Sequence, residues 1–389
     1  MKIAVIGTKG LPPKQGGIEH YCAEVYPRMV AQGHSVDLFA RSSYTGYPWF
    51  GSYDFQGVRV INLPSSKVTG VDAFITSAQG AIASMGKKYD IIHFHALGPA
   101  LFTGISRIAS SAKVVVTCQG LDWQRLKWNN GASRLIRMGE KAAVRFADEI
   151  IVVSEALGSY FLNTYDRTTV YIPNAPAGYA PSDPNFSYGT SLGLQQDRYI
   201  LYLGRLVPEK RPELLIEAFS NLKPAGWKLA LVGGVSDTSE FTSQLKDMAA
   251  GNPDIVFTGE LQGPHLAEMV RGAGLFVLPS DLEGLPLAML EAMQEGIPVL
   301  ASDIPPHRQL VGQDRGLLFR AGEVNSCVQG LNWAIQHPQQ IKTMAENAQT
   351  HVRLHYSWEQ ITAKNLKLYE SLCGSSSGFV KGQKVKISV

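Results

Sequence analysis

Ile200-Leu-Tyr-Leu-Gly-Arg-Leu-Val-Pro-Glu-Lys210 decides the fold: an apolar run of strand length ends on a glycine, and a loop carrying two cations follows. The same unit recurs with apolar runs at 229–232, 255–258, 276–278 and 299–301, each followed by residues at helical spacing. Upstream, β-branched runs at 3–6, 36–39, 58–61, 91–94, 114–117, 150–153 and 170–172 alternate with helical patterns in the same way. Short buried strands alternating with helices are the signature of a parallel, doubly wound α/β sheet. The alternation breaks once, over 174–196, where Pro, Ser, Gly and Asn dominate and the chain reads as a linker. Two such sheets and one connection imply Rossmann-like domains facing across a cleft. Open α/β sheets bind ligands beyond the carboxyl ends of their strands, so the loops after these runs are where chemistry is expected.

A chain of 389 residues exceeds one ordinary core and fits this division. The expected organisation is a first domain over 1–180, a linker over 181–196, a second domain over 197–357, a helix over 358–372 packing back towards the N-terminal domain, and a flexible tail over 373–389. A formal charge of +3 gives no global signal for nucleic acid. Cys22, Cys118, Cys327 and Cys373 are scattered, without a Cys-x-x-Cys pair or a nearby His at metal-ligand spacing, so neither a disulfide framework nor a zinc site is expected. The apolar start is too short for a secretory signal, and no stretch approaches the roughly 20 apolar residues that span a bilayer. The expected location is the cytoplasm.

The densest chemistry is Ser280-Asp-Leu-Glu-Gly-Leu-Pro-Leu-Ala-Met-Leu-Glu291, where two glutamates bracket a helix start and Pro286 suits its first turn. Free N–H groups and the helix dipole there would receive a diphosphate. Glu291 is placed to accept ribose hydroxyls, and Glu283 to face a transferred sugar. Either glutamate alone also reads as a helix cap or dipole partner. Arg205 and Lys210 lie at the carboxyl edge of the same sheet, where two fixed cations would neutralise a leaving diphosphate without a metal. No Asp-x-Asp pair occurs in the chain. Taken alone, these cations also read as solvated surface.

In the first domain Gly7-Thr-Lys-Gly-Leu-Pro-Pro-Lys-Gln-Gly-Gly17 joins the first strand to a helix opening with Ile18 and Glu19, and Glu19 is expected on the side of the cleft that takes the second substrate. Gly16 and Gly17 allow close backbone approach to a phosphate. A dinucleotide-binding reading competes, but the glycines do not make G-x-G-x-x-G and no acid ends the second strand, Asp37 lying within it. Asp90-Ile-Ile-His-Phe-His95 ends a strand with two histidines, expected on opposite faces, with His95 turning into the cleft; a packed structural histidine is the alternative. The helix carrying Arg134, Arg137, Lys141 and Arg145 is expected to set a cationic stripe beside an apolar face of Leu135, Ala142 and Phe146, near Trp123 and Trp128. Such a surface suits anionic headgroups at the inner face of the cytoplasmic membrane; a solvated helix face is the bland alternative.

The run G-R-L-x-P-E-K, the later Leu-Val-Gly233-Gly234 and Phe-Thr258-Gly259, and E-G-L-P-L-A-M-L-E-A-M-x-x-G-x-P-V resemble the donor-binding domain of the retaining GT-B glycosyltransferases known as family 4. The resemblance implies a nucleoside-diphosphate sugar (UDP-, GDP- or dTDP-linked) as donor substrate, no cofactor or metal, and transfer to a carbohydrate or lipid-linked saccharide hydroxyl with retention. Carried onto this chain, it places Arg205 and Lys210 on the diphosphate with Gly204 beside them, Glu291 on the ribose, and Glu283 with Gly284 and Leu285 on the sugar. Gly233, Gly234, Thr258 and Gly259 fall near the base. The segment Thr117-Cys-Gln-Gly-Leu-Asp122 resembles the family's T-x-H-G-x-D, with Gln119 standing where the family has His; glutamine hydrogen-bonds but does not titrate. Asp122 would orient the acceptor. G-L-D-W-Q-R-x-K-W looks most like a subgroup that includes rhamnosyltransferases of bacterial surface polysaccharides. The rival expectations are a nucleotide-sugar epimerase of the same architecture and, because of Gln119, an inactive sugar-nucleotide binding protein.

Overall fold

The computed structural model describes residues 1–14, 16–66, 70–124, 130–234 and 239–374. Trp128 and the tail from 375 onward lie outside the described residues. The first sheet contains β1 (Lys2–Ile6), β2 (Ser35–Arg41), β3 (Ser52–Phe55), β4 (Val58–Leu63), β5 (Ile91–His95), β6 (Lys113–Cys118), β7 (Glu149–Val152) and β8 (Val170–Tyr171). Its order is β3-β4-β2-β1-β5-β6-β7-β8, parallel throughout except for β3 against β4. The second sheet contains β9 (Tyr199–Leu203), β10 (Lys228–Val232), β11 (Ile255–Gly259), β12 (Leu275–Leu278), β13 (Val299–Ser302) and β14 (Leu317–Phe319), ordered β11-β10-β9-β12-β13-β14. Its strand pairings are parallel throughout. The continuous apolar runs follow from burial on both faces: every residue of β5, β12 and β13 is buried. Strand order reverses between β1 and β5 and between β9 and β12, so each sheet has its crevice at those carboxyl ends.

Two strands escape the sequence pattern. β3 is a half-exposed edge strand of four residues, and β14 has three, too few to show a period. The connection is also more ordered than its composition implies: a helix spans Ser187–Ser191, and Phe186 inserts its ring beside Gly189 and Gly272 and stacks on Tyr199 at 5.9 Å. Arg271 ties the Ala180 carbonyl at 2.8 Å. Residues 180–197 therefore pack on the second sheet unit.

The last helix, Trp358–Gly374, runs on past 372 and lies on the first sheet unit, against the helix Gly17–Ala31. Trp358 meets Tyr21 edge-on at 6.0 Å, Arg28 pairs with Glu359 at 3.2 Å, and Tyr369 reaches His93 at 2.6 Å. A second tie between the units comes from Gln309, which bonds Tyr171 and the Glu155 amide.

Candidate active site

The loops leaving β9, β10 and β12 converge. The Gly204 amide donates to the Val232 carbonyl at 3.0 Å, and the Gly233 amide to Gly259 at 2.9 Å, so the ends of β9, β10 and β11 form one backbone row. A Cβ at Gly233 would fall 1.9 Å from the Gly204 carbonyl oxygen, which is why this position excludes a side chain. Gly234 abuts Glu260, and Thr258 bonds the Gly259 carbonyl at 2.9 Å. Across the switch point the Asp281 amide donates to the Glu209 carbonyl at 2.9 Å, and Arg211 pairs with Asp281 at 2.8 Å. The two cation- and glutamate-bearing loops are therefore one unit.

Within that unit Lys210 Nζ lies 2.7 Å from Glu283 Oε1, which also accepts from Ser280 Oγ at 2.8 Å. Burial would raise the Glu283 carboxyl, but Lys210, together with His307 and the Ser280 hydroxyl, more than offsets it and holds the group below the usual carboxylate range. Glu283 is thus ionised and fixed. Arg205 is exposed at the rim of the same loop, and Leu285 is buried under it. Behind Glu283, His307 is fully buried: its Nδ1 meets the Ser302 carbonyl at 2.8 Å, while Nε2 has no partner, and burial pushes the ring down so that it stays neutral.

The helix begins at Leu287, one position later than the first-turn placement of Pro286 implied. Pro286 is the cap, and its carbonyl accepts from Met289 and Leu290, each at 3.1 Å. One turn in, Glu291 accepts from Tyr179 Oη at 2.8 Å, and burial pushes its carboxyl up to about 7 despite that bond. Tyr179 comes from the connection between the sheets and carries no sequence signal.

The first sheet unit closes on this helix start. Gly17 touches Leu287 at 3.0 Å from its would-be Cβ, and a Cβ at Gly284 would fall 1.9 Å from the Gln119 carbonyl oxygen. Gly284 is therefore required by the approach of the two units, with Gln119 and Gly120 facing it. The Gln119 Oε1 accepts from Asn174 at 2.8 Å, leaving its Nε2 and the Asn174 Oδ1 buried without partners. Asn174, which sequence reasoning missed, belongs to the Ile-Pro-Asn turn after β8. Asp122 is half-buried in the single turn Asp122–Gln124 below.

Three acceptor-side expectations need correction. His93 and His95 share one face, as residues two apart in a strand must, and stack at 4.3 Å. His95 does not turn into the cleft: it is wholly buried beside Tyr21 and bonds Tyr26 at 2.7 Å, and burial pushes it down to about 3. Glu19 is 3% exposed and folds under the glycine-rich loop, accepting from the Lys9 amide at 2.8 Å; it braces that loop and does not face an acceptor. On the helix Asn130–Phe146 the core face is Ile136, Gly139, Glu140 and Ala143, while Leu135 is exposed. Arg134, Arg137, Lys141 and Arg145 are all exposed, with Arg137 lying 3.8 Å over Trp123. Among the described residues no group of three or more His, Cys, Asp or Glu is placed to hold a metal ion, and no helix is long and apolar enough to cross a membrane.

Residues 190–351 match the family model for glycosyl transferases group 1, and residues 16–175 match that for the glycosyl transferase 4-like domain. A D-inositol 3-phosphate glycosyltransferase of Gordonia bronchialis is 28% identical over 95% of this chain and 88% of its own length. Among solved structures, the sucrose-phosphate synthase of Thermosynechococcus elongatus superposes with a TM-score of 0.83 at 23% identity, covering 96% of this chain and all 100% of that one. Anabaena HepE, solved with UDP and glucose, superposes at 0.78 with 20% identity over 95% of this chain and 100% of that one. With one model on each sheet unit and this two-sheet architecture, the chain belongs to the family 4-type glycosyltransferases of GT-B fold.

Proposed function

We propose that this transferase moves a glycosyl group from a nucleoside-diphosphate sugar to an acceptor hydroxyl, with retention and without a metal. The donor unit spans 197–357 and the acceptor unit 1–180. The observation that carries the reading is the Lys210–Glu283 pair beside the helix start and Glu291, facing Gly17 and Gln119 of the other unit. HepE, a structural neighbour, was solved with UDP and with UDP-glucose, which supports a nucleoside diphosphate here. A diphosphate takes the N–H groups of Gly284, Leu285 and the first helical turn, with Arg205 and the remaining Lys210 donors on its oxygens. Glu291 accepts the ribose hydroxyls, and the glycine row through Gly204, Gly233, Gly234 and Thr258-Gly259 receives the base.

Proton traffic follows from what the cleft lacks. Gln119 does not titrate, while His95 and Glu19 are buried in structural bonds, so none of them serves as base. Glu283 stays bound to Lys210 and steadies positive charge growing on the sugar; it does not form a covalent bond. The incoming hydroxyl therefore gives its proton to the departing phosphate on the same face, and Asp122 orients that hydroxyl. The acceptor belongs to cell-surface polysaccharide or glycolipid synthesis at the inner face of the cytoplasmic membrane, which the exposed Arg134, Arg137, Lys141 and Arg145 touch. Replacing Arg205 or Lys210 by Ala is expected to lower turnover by about 10²- to 10³-fold. Near-normal turnover of both variants removes this account. A thermal-shift series with UDP, GDP and dTDP identifies the base, since a ligand of the native state raises the melting temperature.

A further inference from the structure

The loop that leaves β2 carries an aromatic cluster the donor chemistry does not use. Tyr47, Trp49 and Phe50 are 49%, 65% and 73% exposed, a concentration of large rings in solvent that is uncommon without a binding partner. They are not loose. Tyr47 stacks on Tyr53 at 4.1 Å, and the Phe50 amide is bonded to the Asn62 carbonyl at 2.7 Å with φ at 61°, a left-handed conformation that a bulky side chain rarely adopts. The Phe50 ring is thereby held outward. Beside these rings lies an open groove of about 530 Å³ lined by Tyr47, Trp49 and the hydroxyls of Ser42, Ser43 and Ser65. That volume falls in the range of small-molecule sites, roughly 300–1,000 Å³.

The groove is joined to the transfer site. Lys14 of the glycine-rich loop donates from Nζ to the Tyr44 carbonyl at 2.8 Å, and Tyr53 bonds the Leu11 carbonyl. The same loop ends at Gly17 against Leu287, at the helix start proposed for the diphosphate. One loop therefore borders both the groove and the helix start.

We infer that this groove is a saccharide subsite that holds the acceptor's sugar units beyond the one receiving the transferred group. The inference rests on the glycosyl-transfer reading. Flat rings suit the C–H faces of pyranoses, and the serine hydroxyls suit their polar edges; the groove offers no cluster of charge that would select an ionic ligand. The hydroxyls of Ser42, Ser43 and Ser65 along its wall also distinguish it from a purely apolar wedge for lipid.

The test uses the full-length protein on an array of linear tri- and tetrasaccharides of glucose, mannose, galactose and rhamnose, alongside Trp49→Ala and Phe50→Ala. The wild type retains at least one glycan family, and each variant weakens that retention by about tenfold, equivalent to ~1.4 kcal/mol for the loss of one ring contact. The thermal shift with UDP, GDP or dTDP stays as in the wild type, which shows the variants folded. Unchanged retention in both variants overturns the inference, as does a protein that binds its nucleoside diphosphate but no glycan. Trp49-dependent sedimentation with phosphatidylglycerol vesicles in place of glycan retention also overturns it, in favour of a lipid contact. If no nucleoside diphosphate binds while glycan retention still depends on Trp49, the subsite stands and the transfer reading falls.

Discussion

Glu291 makes donor binding depend on pH near neutrality. Its carboxyl is pushed from an ordinary 4.5 up to about 7 because it is buried, with the Tyr179 hydroxyl offsetting part of that cost. Only the carboxylate accepts both ribose hydroxyls. A group with a pKa of about 7 is ionised in roughly one molecule in ten at pH 6 and in about nine in ten at pH 8, so nucleoside-diphosphate affinity should fall roughly tenfold from pH 8 to pH 6. The phosphate ionises in the same window, so the comparison is with Glu291→Gln, in which the phosphate's share remains and the Glu291 share disappears. Tyr179→Phe removes a bond to the charged form, and the midpoint should move to higher pH. Titration calorimetry at pH 6, 7 and 8 with the best of UDP, GDP and dTDP measures all three. The sign for stability is opposite: the folded state holds this proton more firmly than the unfolded chain, so its contribution is complete below 4.5 and is lost through about 7, by at most ~3 kcal/mol. An identical pH slope in Glu291→Gln and the wild type would refute the reasoning.

Other consequences follow from contacts already described. Lys210→Met leaves Glu283 buried and unpaired, which should cost ~3–5 kcal/mol in denaturant unfolding; adding Glu283→Gln should restore most of that without restoring turnover. Gly284→Ala puts a methyl into the Gln119 carbonyl and must part the two units by about an ångström, for which a turnover loss on the order of 10²-fold is expected while donor binding by calorimetry changes little. His95→Phe should lower stability by ~1–3 kcal/mol through the lost Tyr26 bond yet leave the shape of the pH–rate profile unaltered between pH 5 and 9; loss of a titrating limb would restore His95 as a base.

The sequence by itself determined what local pattern can encode. Runs such as 200–203 and 276–278 are continuous because parallel strands are buried on both faces; the glycine and cations of 204–210 follow a strand end, Glu283 lies on the loop after β12, and Glu291 lies inside the helix after that loop. Gln119, Lys210, Glu283 and Glu291 stood out as candidates through the motifs that carry them. Only the tertiary structure decided which partners each of them meets. Tyr179 lies in a stretch whose composition says linker, and it acquires a role because the connection passes beside Glu291. His95 looked available at a strand end, but Tyr21, Tyr26 and the returning helix Trp358–Gly374 close over it. Glu19 turned inward because the loop's N–H groups needed an acceptor. Burial, which drives Glu291 up to about 7 and keeps His307 neutral, is a property of neighbours remote in the chain, and no local spacing records it.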